Sequence, residues 1–87
     1  MKFLLYGTHG CHLCDEAKTL VENAKRMHAF DYDYVDILDD QNMLDRFETS
    51  IPVLLDPYSD EMLFWPFAGS DLEQFILSSL MNKKKPA

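Results

Sequence analysis

Two cysteines, the only ones in the chain, stand three residues apart between an unbroken apolar run and a strongly periodic one. Upstream, Phe3-Leu4-Leu5-Tyr6 reads as a strand buried on both faces and closed by Gly7. Downstream, Leu13, Ala17, Leu20, Val21, Ala24 and then Met27 or His28 recur at steps of three and four, the spacing of an amphipathic helix from His12 to about His28. Asp15 and Glu16 in its first turn, with Lys25, Arg26 and His28 in its last, suit the helix dipole. Cys11-His12-Leu13-Cys14 therefore falls on a strand-to-helix turn. The first N–H groups of a helix lack intrahelical partners and carry the positive end of its dipole, so a Cys11 thiolate is stabilised there. The same spacing lets Cys14 return to Cys11 across one turn, within reach of a disulfide.

The remaining elements follow from periodicity and punctuation. Asp31 to Ile37 bears tyrosine and valine and reads as a second strand. Leu38-Asp39-Asp40 supplies an N-cap for a short helix whose apolar stripe is Met43, Leu44 and Phe47. Ser50-Ile51-Pro52-Val53-Leu54-Leu55 opens a third strand, with its proline at the start, where a missing ladder donor is tolerated. Asp56-Pro57-Tyr58-Ser59-Asp60 is a turn, and Glu61 to Trp65 a fourth strand, close enough to form an antiparallel hairpin with the third. Ser70-Asp71-Leu72-Glu73 fits the capping box S-x-x-E, and Leu72, Phe75, Ile76 and Leu80 continue as a last helix. The order β-α-β-α-β-β-α predicts an α/β fold. A right-handed crossover makes the first two strands parallel, giving a mixed four-stranded sheet flanked by three helices. The cysteine turn then lies at the carboxyl end of the first strand, the usual side for function in open α/β sheets.

Eighty-seven residues make one small domain, here 1–82, followed by a solvated basic tail over 83–87 that complements the negative end of the last helix. A bridge between residues 11 and 14 closes so short a loop that it adds little to global stability, so the cysteines are not scaffolding. The net charge of −7 opposes nonspecific nucleic-acid binding. The apolar run after Met1-Lys2 is too short for a secretory or membrane segment, so a cytoplasmic location and no membrane partner are expected. A monomer is the expected state. In a reducing compartment such a cysteine pair reads as redox or metal chemistry.

Three features together resemble the thioredoxin superfamily, and within it the small glutaredoxin-like domains, over essentially the whole chain. They are Cys11-His12-Leu13-Cys14, Ile51-Pro52-Val53, and Phe67-Ala68-Gly69-Ser70-Asp71-Leu72. The resemblance implies a thioredoxin-like fold in which Pro52 is cis and faces the cysteines, while Ile51 offers its backbone to an extended substrate. It also implies that Gly69, Ser70 and Asp71 stand where glutaredoxins hold the γ-glutamyl end of glutathione at a helix N-terminus. Ala68 replaces the first glycine of that segment, Leu72 stands where a second acid is common, and no lysine precedes Cys11. A well-capped helix is the structural reading of the same residues.

The expected activity is thiol–disulfide exchange. Cys11 attacks a disulfide in a protein or small molecule, and Cys14 resolves the mixed disulfide, with glutathione or a thioredoxin-type reductase as electron donor. Glutathione would then be a co-substrate, and no bound cofactor or metal is expected. His12, between the cysteines, favours the Cys11 thiolate when protonated, or else is a surface residue without influence. His9 reads as a loop residue and His28 as a helix-end residue. Trp65, Phe64 and Phe67 belong either to the core or to a substrate groove. The alternative function is metal or iron–sulfur cluster binding through the Cys11/Cys14 pair, with His9 and His12 as nearby donors, although four ligands this close converge poorly on one ion.

Overall fold

The computed structural model describes residues 1–83. Its elements, in order, are β1 (Lys2–Gly7), α1 (His12–Lys25), β2 (Asp31–Asp36), a single 3₁₀ turn (Ile37–Asp39), α2 (Gln41–Phe47), β3 (Val53–Asp56), β4 (Glu61–Phe64) and α3 (Gly69–Lys83). The mixed sheet has the order β2-β1-β3-β4. β1 runs parallel to β2 and antiparallel to β3, and β3 and β4 form the antiparallel hairpin. Lys83 closes α3, and the rest of the expected basic tail, 84–87, lies outside the described residues. Among the described residues no helix is long and apolar enough to cross a membrane.

Strand alternation divides the core into two layers. Phe3, Leu5 and Leu54 point to one face, where Ala17 and Val21 of α1 and Leu72 and Ile76 of α3 cover them. Tyr6, Val53 and Leu55 point to the other, against Ile37 and against Phe47 of α2, whose ring stacks on Tyr6 with centroids 5.1 Å apart. β1 lies between two strands and is buried from Phe3 to Gly7 except for half-buried Leu4.

The element boundaries depart from the sequence reading where side chains or backbone groups find nearer partners. α1 ends at Lys25 rather than near His28, because the N–H groups of Arg26 and Met27 turn to carbonyls three residues back, at 3.2 and 3.0 Å. β2 stops one residue early, since the Asp36 carboxylate accepts the Leu38 N–H at 3.0 Å and starts the 3₁₀ turn. β3 begins at Val53, not Ser50: the N–H groups of Ser50 and Ile51 bond back to the Phe47 carbonyl at 2.8 and 3.1 Å, and Pro52 has none to give. α3 starts at Gly69, so Ser70 lies inside its first turn and S-x-x-E is not the cap. Ala68 instead accepts the first helical bond from Leu72, and the Asp71 carboxylate reaches back to the Ala68 N–H at 2.9 Å.

Candidate active site

Cys11 is the N-cap of α1. Its backbone is extended (φ −95°, ψ 107°), its carbonyl accepts the Asp15 N–H at 3.1 Å, and its Sγ accepts the Cys14 N–H at 3.1 Å. A sulfur in this position takes the place of the oxygen of a capping serine. Cys11 and Cys14 form a disulfide with their Cα atoms 5.2 Å apart. Cys11 is half-buried, whereas Cys14 is 0 % exposed, so the two sulfurs are inequivalent to any partner arriving from solvent. Gly10 allows the turn into the helix by taking φ 74°, a conformation open to glycine.

The floor beneath the pair is a row across the sheet. Gly7 pairs with Asp36, and the β1–β3 register, carried one residue beyond Tyr6 and Val53, sets Pro52 across from Gly7. The Trp65 N–H then bonds the Pro52 carbonyl at 3.3 Å. Alternation places Asp36, Gly7, Pro52 and Trp65 on the face covered by α1, the helix that begins with the cysteines. The Ile51–Pro52 bond is cis, and so is Trp65–Pro66, which nothing in the sequence reading anticipated. Ile51 is half-buried and Pro52 is buried.

Gly7 is required by what lies against it. A Cβ there would collide with the Tyr34 hydroxyl and stand 3.1 Å from the Cβ of Cys14. The Tyr34 hydroxyl donates to the Thr8 carbonyl at 3.0 Å, which ties β2 to the turn leading into the cysteines. Burial pushes the Tyr34 phenol up, and the negative charges of Asp15 and Asp36 push it the same way. The Leu38 N–H holds the Asp36 carboxyl below its usual range, assisted by His9, whose Nε2 lies 3.8 Å away. Neither Gly7, expected only to end the first strand, nor Tyr34 stands out in the sequence as a site residue. The available signal was a glycine ending a buried strand next to the cysteines, with tyrosines alternating on the strand paired to it.

The other expected site residues are dispersed. His12 opens α1 and is exposed, and so is Leu13 at 44 %. Gly69, Ser70 and Asp71 are exposed at the start of α3. Gly69 borders a depression with Leu20, Asn23, Ala24, Met27 and His28, about two and a half turns or more along α1 from Cys11. The Asp71 carboxylate is engaged by its own helix. An open groove beside the first turns of α1 is lined by Glu16, Thr19, Leu20 and Trp65. Trp65 meets Phe67 edge-on at 5.0 Å, and Phe67 is core, whereas Phe64 is exposed on the opposite face of β4. Among the described residues no three His, Cys, Asp or Glu side chains gather as a metal-holding group.

Residues 2–77 match the family described as Glutaredoxin-like domain (DUF836). The chain belongs to that family. This glutaredoxin-like domain is similar to XcR50 from X. campestris, known from a crystal structure at 34% identity and a TM-score of 0.74, over 87% of this chain and 96% of that one. The solution structure of XcR50 gives 35% identity and the same TM-score, over 90% and 95% of the two chains. Thioredoxin 1 from Thermosipho africanus TCF52B shares the fold at 15% identity, with a TM-score of 0.64 over 98% of this chain and all of its own, 100%. No curated protein matches the sequence. A thioredoxin-like fold carrying a cysteine pair at disulfide distance supports a redox role for this glutaredoxin-like domain.

Proposed function

We propose that the protein is a dithiol–disulfide oxidoreductase in which Cys11 is the attacking and Cys14 the resolving cysteine. The observation that carries this reading is the inequivalence of the two sulfurs: one caps a helix at the surface, the other is fully buried behind it. The Cys11 thiolate attacks one sulfur of a substrate disulfide, a Cys11–substrate S–S bond forms, and the second substrate sulfur leaves as a thiolate that takes a proton from water. The Cys14 thiolate then attacks Cys11 Sγ and expels the remaining substrate thiolate. Two electrons have passed to the substrate, and the protein is left with its 11–14 bridge. A thiol reductant, either glutathione or a thioredoxin-type reductase, reopens it. Ile51, beside the cis proline, offers its carbonyl to an extended substrate, its N–H being bonded to the Phe47 carbonyl, and Leu13 adds an apolar contact next to the reacting sulfur.

The test is equilibration of the protein in graded redox buffers, with the 11–14 bridge followed by thiol labelling. A reversible two-electron transition between about −270 and −180 mV is expected, the range of thioredoxin-, glutaredoxin- and isomerase-type pairs. Cys14→Ser should accumulate a trappable mixed disulfide and Cys11→Ser should react with nothing. Equal trapping by either single-cysteine variant would reverse the roles, and the absence of any reversible bridge would remove the mechanism.

A further inference from the structure

The proposed cycle asks the buried Cys14 to become an anion, and burial in apolar surroundings opposes that. The helix N-terminus serves Cys14 poorly, because its own N–H is spent on Cys11 Sγ. The charged groups nearby do not replace it. Asp15 on α1 and Asp36 at the end of β2 are both negative, and exposed His9 on the turn leans toward Asp36. The Lys18 ammonium, one turn along α1, lies over the Tyr34 ring at 5.3 Å from its centroid. A neutral donor stands closer to the point. The Tyr34 hydroxyl and the Cys14 Cβ both abut the space above the Gly7 Cα, on the same side, and the absent Gly7 side chain leaves that space to them.

We propose that the Tyr34 hydroxyl serves the resolving cysteine, donating its hydrogen bond to the Cys14 sulfur when that sulfur is a thiolate and to the Thr8 carbonyl when it is not. This rests on the dithiol mechanism above and assigns a group to its second half. In the mixed-disulfide state Cys14 loses its proton to water. The Tyr34 O–H turns from Thr8 to the new thiolate without transferring its own proton, Cys14 Sγ bonds to Cys11 Sγ, and the substrate thiolate leaves. The hydroxyl returns to Thr8 once the bridge has closed. A phenol is protonated at neutral pH, and burial, with the charges of Asp15 and Asp36 acting the same way, moves Tyr34 further from ionisation, so it stays a donor.

The experiment is stopped-flow reaction of the fully reduced protein with 5,5′-dithiobis(2-nitrobenzoate). Each molecule releases one coloured thiolate when Cys11 attacks and a second when Cys14 resolves, so the two halves are read separately. Tyr34→Phe keeps the ring beneath Lys18 and removes only the hydroxyl. It should leave the first phase within about twofold, slow the second by about tenfold, and move the second phase's pH profile upward by about one unit, the shift a lost charge-assisted hydrogen bond predicts. Replacing Tyr34 with 3-fluorotyrosine, a stronger donor of nearly the same shape, should speed the second phase. A second phase with unchanged rate and pH profile in both variants would overturn the proposal. Equal slowing of both phases would also overturn it, since the hydroxyl would then act only through Thr8 and the turn that carries Cys11. Failure of the wild-type protein to release the second thiolate would instead remove the dithiol mechanism itself.

Discussion

Gly7 shows how a residue with no side chain can constrain a redox site. The Tyr34 hydroxyl, with its Cζ 2.9 Å from where a Cβ would stand, fills the position on one side, and the Cys14 Cβ closes it on the other. Neither neighbour is the free end of a flexible chain: the phenol is held by Thr8 and Lys18, and Cys14 is held by α1. Gly7→Ala should therefore cost about 1–3 kcal/mol, as overpacking of a close-fitting interior does, measured by urea denaturation of the oxidised protein. In a Tyr34→Phe background the same substitution should cost less, because the clashing oxygen is gone, and a double-mutant cycle would report the difference as coupling between the two sites. Additive costs would mean that the methyl group is accommodated by another route. Cys11, Cys14 and Pro52 were legible in the sequence because each carries chemistry that another residue type cannot supply. Gly7 and Tyr34 were not, since their roles arise from the pairing of β1 with β2 across the whole of α1, which local pattern does not encode.

At the scale of single elements, helices and strands are readily legible in the residue pattern, whereas some of their ends are set by groups that the pattern does not single out. Periodicity found α1, and the Asp40 cap of α2 holds as expected, accepting the Asn42 N–H at 2.9 Å. α3 was different, because two acid-bearing frames, Ser70 with Glu73 and Ala68 with Asp71, lie two residues apart and look alike as strings. Packing decided between them: burying Phe67, Leu72 and Ile76 against the sheet fixes where the chain can begin to turn. Asp71→Ala should consequently destabilise the domain by about 1 kcal/mol through the lost cap, whereas Ser70→Ala should fall within about 0.5 kcal/mol of wild type. Ala68→Ser should stabilise it by about 0.5–2 kcal/mol, since alanine is among the poorest N-caps and serine among the best. Thermal unfolding of the three variants reads all of these, and a larger loss at Ser70 than at Asp71 would restore the S-x-x-E frame.

Taken as a whole, the molecule builds its reactive end from segments that are distant along the chain. The end of β1, the start of α1, the end of β2 and the two cis-proline segments around Pro52 and Pro66 converge there. The order of elements, and hence the mixed sheet, followed from crossover handedness and a short hairpin turn, which few topologies satisfy together. The transverse row of Asp36, Gly7, Pro52 and Trp65 needed the register itself. This architecture leaves Cys11 as the sulfur open to solvent, with Cys14 sealed beneath it. On the dithiol mechanism proposed above, oxidant and reductant call at that one atom in turn, since the buried Cys14 sulfur offers neither of them a second doorway. Steady-state velocities measured against both should trace the parallel double-reciprocal lines of a ping-pong cycle, and an excess of either reactant should inhibit the other by holding that single sulfur.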